Sequence, residues 1–311
     1  MSDVWSRLKP GERVAIVRLR SLGDCVLTTP AIHLLKNARP DLEIAVVVET
    51  RFAAIFEGNP DIAAILSPDV KAIRNFHPAV CLNLHGGGSS ARLTALSGAR
   101  YRAGFAHFRP NFVYNVKIPA AQRILGVHRT VHTAEHLASA IFHLGIPVQE
   151  IPRARLFPDG TRHLKDIAQG ISRPYAVIHP MASHPSKTWP AAWFLNVARH
   201  IVRSLELTPV FIAGPGEDLS PFQAWQTVSN APLPAIKSLL SEAALFAGND
   251  SGPAHMAAAF GTPVVVLFGS SDPVIWAPWK TAARVLTANG PIHNITERSV
   301  IEALDRLAVH A

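Results

Sequence analysis

The stretch GNDSGPAHMAAAFGTPVVVLFGSSDP, residues 248–273, contains the strongest structural signal in the chain. Its Ser-Gly-Pro turn places Pro253 where a helix can begin, because the fixed φ of proline suits the first helical position. A short helix of small residues ends at Gly261, and the run after Pro263 is apolar on both faces, as in a buried parallel strand. The stretch therefore predicts a turn, a helix and a strand, with free backbone N–H groups at the turn that can bind an anion.

Strand-like and helix-like segments alternate along almost the whole chain, which predicts an α/β protein with parallel sheets. The predicted strands are 13–19, 43–49, 63–66, 79–84 and 112–118, then 175–180, 207–214, 244–250 and 283–288. The predicted helices are 25–38, 51–57, 69–76, 89–97, 130–145, 191–204, 217–229 and 295–309. Pro30 predicts either a kink in the first helix or a restart with Thr29 as cap, and Thr296 is the expected N-cap of the last helix.

A segment rich in proline, glycine and charge, residues 152–174, separates two series of these elements. With about 150 residues per domain as a guide, we predict two domains, 1–155 and 156–311. The terminal helix, 295–309, is a candidate for packing back on the first domain. Two doubly wound units in tandem would place a ligand cleft between the carboxyl ends of their sheets.

The composition is that of a globular protein with large cores, since 48% of the 311 residues are hydrophobic and 17% are charged. We find no apolar run of the roughly 18 residues that a membrane-spanning helix needs. The N-terminal MSDVWSRLKPGER lacks the apolar core of a signal peptide, so we expect a cytoplasmic protein. Cys25 and Cys81 are expected to be free, buried thiols, because two cysteines cannot form a disulfide framework or a cysteine-based metal site.

The net charge of +8 is unevenly distributed. Residues 1–155 contain 19 Lys and Arg against 11 Asp and Glu, whereas residues 156–311 contain 11 of each. The excess predicts an anionic partner for the first half, such as nucleic acid, a membrane surface or an acidic substrate. Scattered solubilising arginines remain an alternative, because no run of five or more basic residues occurs.

In the first half, the candidate functional residues lie in the turns after two predicted strands. Asp24, in VRLRSLGDCVLTTPAI (17–32), is either a helix-capping residue or a general base at the carboxyl end of the first strand. This turn lacks the G-x-G-x-x-G fingerprint, and only Glu49 could bind a ribose, so a dinucleotide site is not indicated. The glycines of HGGGSS (85–90) either let the backbone approach a ligand or form a flexible turn.

In the second half, two loops carry candidate phosphate ligands. Lys187, in HPMASHPSKTW (179–189), suits a phosphate contact, with a solvated loop lysine as the alternative. The histidines of this loop lack the spacing of a zinc site. In GNDSGPAH (248–255), the N–H groups near Ser251 and Gly252 and the side chain of His255 would favour a pyrophosphate. No D-x-D occurs in the chain, which argues against a diphosphate held through a carboxylate-bound metal.

These motifs resemble those of a known family. The stretches RLRSLGDCVLTTPAIHLLK (18–36), VHTAEHLASAIFHLGIP (131–147), SHPSKTWP (183–190) and residues 248–273 are similar, in this order, to the ADP-heptose:lipopolysaccharide heptosyltransferases, glycosyltransferase family nine. The resemblance implies a GT-B fold, with two Rossmann-like domains facing each other across a cleft. The first domain would bind the acceptor and the second the ADP-sugar. It also implies metal-independent, inverting transfer of heptose from ADP-L-glycero-D-manno-heptose to the inner core of lipopolysaccharide.

The resemblance also implies roles for single residues. Asp24 would be the catalytic base, and the donor-binding residues would be Lys187, Glu217, Asp250, Ser251, Gly252 and His255. Acceptor contacts are expected from Arg20, Ser21, Gly86 and Arg92. An inverting displacement needs a base for the acceptor and stabilisation of the leaving diphosphate, which domain closure would bring together.

The chain departs from the family in two places. Members acting on the innermost sugar carry basic residues around the glycine loop, where this chain has HGGGSS (85–90), so the acceptor sugar stays open. Some relatives have cysteines near the C-terminus, where this chain has PIHNI (291–295).

The resemblance implies partners as well, namely ADP-heptose and an anionic lipopolysaccharide precursor, either Kdo-lipid A or a heptosylated core. Peripheral contact with the cytoplasmic face of the inner membrane would follow, and no nucleic acid, cofactor or required metal is expected. Candidate lipid contacts are Arg51, Arg92, Arg102, Arg109 and Arg123. Two alternatives remain, a GT-B enzyme that uses another nucleotide sugar on a different acceptor, and a non-catalytic nucleotide- or nucleic-acid-binding module.

Overall fold

The protein is described here by a computed structural model that covers residues 3–158 and 170–308. The chain forms two compact units, Met1–Phe157 and Pro158–Ala311. Residues 159–169 of the predicted interdomain segment and the last residue of the predicted terminal helix lie outside the described residues.

The first unit is built on six parallel strands. These are β1 (Arg13–Val17), β2 (Glu43–Val47), β3 (Ala64–Leu66), β4 (Val80–Asn83), β5 (Tyr101–Phe105) and β6 (Val116–Ile118). Its α-helices are α1 (Leu22–Ala38), α2 (Val70–Phe76), α3 (Gly88–Leu96), α4 (Ala121–Leu125) and α5 (Thr133–His143). Strand β1 pairs with β2 and β4, and its last four residues are buried, as expected for an apolar strand between two neighbours.

The second unit repeats this arrangement. Its strands are β7 (Tyr175–His179), β8 (Thr208–Ala213), β9 (Gln226–Ser229), β10 (Leu245–Asn249), β11 (Val264–Phe268) and β12 (Ala283–Thr287). Its α-helices are α6 (Ala191–Leu205), α7 (Leu233–Ser241), α8 (Gly252–Phe260), α9 (Pro273–Trp276) and α10 (Glu297–Ala308). The apolar side chains of α10, including Val300 and Leu304, lie in the core of this unit.

The two sheets have the same strand order. The first is β3-β2-β1-β4-β5-β6, and the second is β12-β11-β10-β7-β8-β9, which is the same 3-2-1-4-5-6 order read from the opposite edge. This is the order of a Rossmann-type doubly wound sheet, which binds ligands at the carboxyl ends of the two strands where the order reverses. Those strands are β1 and β4 in the first unit and β7 and β10 in the second. The prediction of two Rossmann-like α/β units is confirmed.

Helix α1 continues through Pro30 without a restart. Proline has no N–H to donate to the carbonyl of Val26, and the hydroxyl of Thr29 donates to that carbonyl instead, at 2.8 Å. The expected cap of the last helix is confirmed, because the Thr296 hydroxyl accepts a hydrogen bond from the N–H of Ser299.

The predicted helix 217–229 is wrong. Asp218 accepts hydrogen bonds from the N–H and hydroxyl of Ser220, which forms a local turn, and only Ser220–Phe222 is a short 3-10 helix. The chain then forms β9, which pairs with β8. Hydrogen bonding between side chain and backbone within a turn competes with helix formation here.

The predicted strand 112–118 shortens to β6, and β5 was not predicted. Tyr114 leaves the strand direction because its ring packs over Gly104, where a Cβ atom would lie 2.6 Å from the ring. Its hydroxyl accepts a hydrogen bond from Asn83 at 2.8 Å. Gly104 interrupts the apolar pattern of β5, which is why the sequence did not show this strand.

Cys25 and Cys81 are buried and unpaired, as predicted. Within residues 3–158 and 170–308, no helix combines the length and the apolar character that crossing a bilayer requires.

Candidate active site

In the first unit, the predicted base lies at the start of α1, just beyond the carboxyl end of β1. The carboxylate of Asp24 accepts a hydrogen bond from the Ser21 hydroxyl at 3.0 Å, and its other oxygen is 3.4 Å from the guanidinium of Arg18. Arg18 is buried and also donates to the carbonyl of Leu84, at the end of β4. Burial lowers the pKa of Arg18, and the nearby carboxylate opposes that shift. The carboxylate is therefore held in place while part of it remains open to solvent.

The glycine loop after β4 is organised by one buried side chain. The side-chain oxygen Oδ1 of Asn83 accepts hydrogen bonds from the N–H groups of His85 and Gly86, at 3.0 and 3.1 Å. Its amide nitrogen donates to the hydroxyl of Ser90, which in turn donates to the carbonyl of Gly86. These hydrogen bonds connect both ends of the loop to the Asn83 side chain. Of the other predicted acceptor residues, Arg20 and Arg92 are exposed.

A group of histidines lies beside this site, and sequence reasoning did not select it. His136 of α5 stacks on Phe105 with ring centroids 4.0 Å apart, and His107 lies 5.6 Å from His136. Burial, then His107 and Arg18, lower the pKa of His136 to about 4. Burial followed by Arg18 also lowers the pKa of His85. Near neutral pH these two rings are therefore uncharged and can accept as well as donate a hydrogen bond.

In the second unit, the predicted phosphate ligands flank the ends of β7 and β10. The ammonium group of Lys187 lies 3.2 Å from the carboxylate of Asp250, which also accepts a hydrogen bond from Ser271 at 2.5 Å. Asp250 is almost fully buried, whereas a quarter of the Lys187 side chain is exposed. Asp250 therefore fixes the ammonium group of Lys187 at the carboxyl edge of the sheet, and part of the lysine side chain remains available to a ligand.

The loop that carries Lys187 is tied down at several points. Asn249, at the end of β10, accepts from the N–H of Trp189 and donates to the carbonyl of Pro180. The residue after β11, Gly269, approaches the same loop so closely that a Cβ atom would overlap the carbonyl oxygen of Ser186. The position of the lysine is therefore determined by the ends of three strands.

The start of α8 lies at the same edge. Ser251 is its N-cap residue but makes no capping hydrogen bond to the first turn, and its hydroxyl pairs with His179 at 3.0 Å. Gly252 is the first helical residue, and His255 is buried one turn further on. An uncapped helix start, with its N–H groups and positive dipole end, favours an anion.

Glu217 lies in the turn after β8. Its carboxylate accepts from the N–H of Gly214 at 2.6 Å and lies 3.5 Å from a ring nitrogen of His179. The hydrogen bond with His179 first, and then that with Gly214, lower the pKa of this carboxyl group below its usual value. His179 therefore links Glu217 to Ser251.

The structure brings the predicted donor residues of the second unit together, and places Asp24, Ser21 and Gly86 beside the β1/β4 switch point of the first. The functional candidates that sequence reasoning missed are Arg18, Asn83, His85, His136, His179 and Asn249. Four of these stand at or just beyond the last position of a strand, where a polar residue after an apolar run is a usable signal. Among the described residues, no cluster of three or more His, Cys, Asp or Glu side chains could hold a metal ion.

Residues 70–303 match the sequence model of a protein family, glycosyltransferase family 9 (heptosyltransferase). The chain belongs to glycosyltransferase family 9. This family 9 protein is 30% identical to lipopolysaccharide heptosyltransferase 3 of Escherichia coli in a 301-residue alignment, which covers 84% of each chain. The predicted family and the predicted enzyme class are confirmed.

Solved structures show the same fold. A family 9 glycosyltransferase from Veillonella parvula has a TM-score of 0.86 at 21% identity, and the match covers 98% of this chain and 99% of that one. The ADP-heptose lipopolysaccharide heptosyltransferase II of E. coli has a TM-score of 0.78 at 18% identity, covering 96% and 99%. The GT-B-like fold is therefore confirmed.

A more distant structure carries a metal. TibC of enterotoxigenic E. coli, described as dodecameric and iron-containing and bound to ADP-D-β-D-heptose, has a TM-score of 0.65 at 17% identity. The match covers 97% of this chain and 77% of TibC. At this identity the likeness extends to the fold alone.

Proposed function

We propose that this family 9 protein transfers heptose from ADP-L-glycero-D-manno-heptose to the inner core of lipopolysaccharide, with inversion at the anomeric carbon. The observation that carries the proposal is the arrangement at the β7/β10 switch point, where Lys187 and the start of α8 offer positive charge at one edge of the sheet. The similarity to a lipopolysaccharide heptosyltransferase supports the choice of sugar and acceptor class.

On the donor side, the proposed reaction needs stabilisation of the departing ADP. Negative charge grows on the diphosphate as the bond to the anomeric carbon breaks, and preorganised cations and N–H groups lower the energy of that state. Lys187, the N–H groups of Ser251 and Gly252, and His255 are the proposed diphosphate ligands. Asp250 holds Lys187 and is the proposed contact for sugar hydroxyls, because its negative charge suits hydroxyl donors and repels phosphate. Glu217, an acceptor in the turn after β8, is the proposed ligand of the nucleoside.

On the acceptor side, the reaction needs a base. The acceptor hydroxyl gives its proton to Asp24 while its oxygen bonds to the anomeric carbon and the bond to the diphosphate breaks. Arg18 and Ser21 hold the carboxylate of Asp24 in one orientation. Arg20, Ser21, Gly86 and Arg92 are the proposed contacts for the anionic acceptor.

Calorimetry with ADP and UDP tests the donor side. We expect ADP to bind and UDP to bind more weakly, and Lys187→Ala and His255→Ala to weaken ADP binding by roughly 10–100-fold, because each removes a charge-assisted contact. Arg203→Ala is the matched control, since Arg203 is an exposed cation in the last turn of α6. Unchanged ADP affinity in both site variants would sink the assignment of the donor site.

We also propose that transfer needs no added metal. The cations proposed for the diphosphate are protein groups, so activity should persist after dialysis against EDTA. Activity that is lost in EDTA and restored by iron or another divalent ion would contradict this part of the proposal.

A further inference from the structure

The positive charge of the chain is concentrated in one segment. Residues 70–134 contain nine Lys and Arg and no Asp or Glu, so they carry +9, while the rest of the chain carries −1. The nine cations are Lys71, Arg74, Arg92, Arg100, Arg102, Arg109, Lys117, Arg123 and Arg129. We call residues 70–134 the acid-free segment. A stretch of this length without one carboxylate is unusual in a chain whose remaining residues are balanced in charge.

The acid-free segment forms one contiguous part of the first unit. It supplies β4, β5 and β6, which are neighbours in the sheet, together with α2, α3 and α4. Strand β6 is the edge of that sheet. The positive charge is therefore gathered on one half of the unit rather than spread around it.

Within residues 3–158 and 170–308, few of these cations are neutralised by carboxylates. Arg100 lies 3.3 Å from Glu12, and Arg129 lies 2.6 Å from Glu135. Among the described residues, none of the other seven forms an ion pair. Arg109 donates to the backbone carbonyl of Ala106 and is exposed, and Lys117 and Arg123 are also exposed.

The acid-free segment also carries an exposed phenyl ring. Phe112, in the loop between β5 and β6, is 81% exposed, more than any other large hydrophobic side chain that the structure describes. The loop itself is anchored, because Tyr114 packs over Gly104 and Asn111 donates to the carbonyl of Ala106 at 3.0 Å. Phe112 is thus held out in solvent by an ordered loop, with Arg109 and Lys117 close to it in the chain.

We propose that the part of the acid-free segment around Phe112 docks on the surface of an anionic lipid bilayer, with the ring of Phe112 entering the interface between headgroups and acyl chains. Cations near a negatively charged membrane attract it over about one Debye length, and an aromatic side chain gains by leaving water at the interface. The inference rests on the proposed function, because the proposed acceptor, a lipopolysaccharide precursor, is itself anchored in an anionic membrane.

One feature favours lipid over nucleic acid. Proteins that bind single-stranded nucleic acid stack successive bases on several exposed aromatic side chains. Phe112 is the one exposed large aromatic side chain of the described residues, and a single ring is enough for an interfacial anchor.

A charge-location experiment tests the docking surface. Binding is measured by co-sedimentation with phosphatidylcholine vesicles, with and without phosphatidylglycerol. We expect the wild-type protein to bind only the anionic vesicles, and to be released when the salt is raised from about 0.1 M to about 0.5 M, where the Debye length falls to about 4 Å. Arg109→Glu/Lys117→Glu, at the two exposed cations close to Phe112 in the chain, should weaken binding at least 10-fold.

The matched control is Arg203→Glu/Arg284→Glu, which lowers the net charge by the same amount at exposed positions of the second unit. It should bind like the wild type. Equal loss in both double variants would show that only net charge matters, and would overturn the proposal. Binding to neutral vesicles, or binding to single-stranded DNA as tight as to anionic vesicles, would overturn it as well.

The role of Phe112 has its own test. Phe112→Ser should weaken binding to anionic vesicles roughly 10-fold, whereas Val202→Ser, at an apolar side chain that is 44% exposed in the second unit, should not. Phe112→Cys can be labelled with an environment-sensitive dye, since Cys25 and Cys81 are buried. The dye should report an apolar environment on anionic vesicles, and a fully aqueous spectrum there would contradict insertion.

These outcomes are separable from the proposed function. Transfer to a water-soluble, deacylated acceptor should be unchanged in Phe112→Ser, because that assay contains no membrane. Failure of vesicle binding with intact transfer would overturn the docking surface alone. Intact vesicle binding without heptose transfer would overturn the proposed function alone.

Discussion

At the scale of single residues, the role proposed for Asp24 is the most demanding, because a base must both stay fixed and take up a proton. Asp24→Asn keeps the size of the side chain and can keep the contact with the Ser21 hydroxyl, but an amide cannot act as the base. We expect kcat to fall by roughly 10²–10⁴-fold with little change in ADP affinity. Steady-state kinetics and calorimetry on the same preparation measure both quantities.

Asp69→Asn is the control for this substitution. Asp69 caps α2 by accepting a hydrogen bond from the N–H of Ala72 at 3.0 Å, and asparagine caps a helix about as well as aspartate. This variant should keep normal turnover. If Asp24→Asn behaved in the same way, Asp24 would be a structural residue of α1 and not the base.

Single residues also show what the sequence could and could not reveal. Asp24 and Lys187 could be selected as candidates because each is a charged residue in a loop or first turn after an apolar run, and their roles remain proposals. Arg18, His179 and Asn249 instead lie at or beside the last positions of the strands, and their burial and partners depend on neighbouring strands far away in the sequence. One sequence does not show strand order, so those contacts could not be predicted.

At the scale of elements, the loop that carries Lys187 depends on a glycine from another strand end. Gly269→Ala would place a Cβ atom against the carbonyl of Ser186 and within 3.0 Å of the Cα atom of Lys187, so the loop must shift. We expect ADP affinity to fall by about as much as in Lys187→Ala, although no proposed ligand is removed. Calorimetry with ADP checks this.

Gly88→Ala serves as the control, since a Cβ atom on Gly88 would meet nothing within 4 Å. It should leave ADP affinity unchanged, and alanine suits the first turn of α3 at least as well as glycine. Normal ADP binding by Gly269→Ala would mean that the loop adapts without moving Lys187 away from the diphosphate.

Helix α5 introduces a pH dependence through His136. Burial, His107 and Arg18 lower its folded-state pKa to about 4, so between about pH 4 and 6.5 the unfolded chain binds a proton that the folded protein does not. The free energy of unfolding is therefore unaffected by this residue above about pH 6.5, and it decreases as the pH falls from about 6.5 to 4. Lowering the pH from 7 to 5 should reduce the free energy of unfolding by roughly 1–2 kcal/mol because of His136. This range allows for the partial exposure of the ring.

His136→Phe removes the titrating group and keeps a ring against Phe105. In urea unfolding at pH 7 and pH 5, this variant should lose roughly 1–2 kcal/mol less stability on acidification than the wild type does. His293→Gln, at an exposed histidine of the second unit, should follow the wild type. An acid sensitivity of His136→Phe equal to that of the wild type would contradict the account.

Elements also differ in how well the sequence predicted them. Central strands such as β1, β7 and β11 are continuous apolar runs, because both faces are buried. Strand β9 is an edge strand that reads QTVS and is partly exposed, so it lacks that signal and its segment was predicted as helix. Incomplete burial therefore explains the error at β9, whereas β5 ends in three buried residues and was missed because Gly104 interrupts its apolar pattern.

At the scale of the whole molecule, the alternation of strands and helices was enough to predict two α/β units, and similarity to solved structures confirms the fold. What the pattern could not provide is the order of the strands. That order, identical in the two sheets, places the proposed base beside the β1/β4 switch point and the proposed phosphate ligands beside the β7/β10 switch point.

The most direct test of the proposed heptose transfer is an assay with purified protein, ADP-heptose and a panel of truncated lipopolysaccharides, read by mass spectrometry of the acceptor. We predict that one acceptor gains a single heptosyl group from ADP-heptose, that UDP-sugars do not replace this donor, and that Asp24→Asn forms the product roughly 10²–10⁴-fold more slowly. Absence of transfer to every acceptor in the panel, or transfer from a UDP-sugar in place of ADP-heptose, would contradict it.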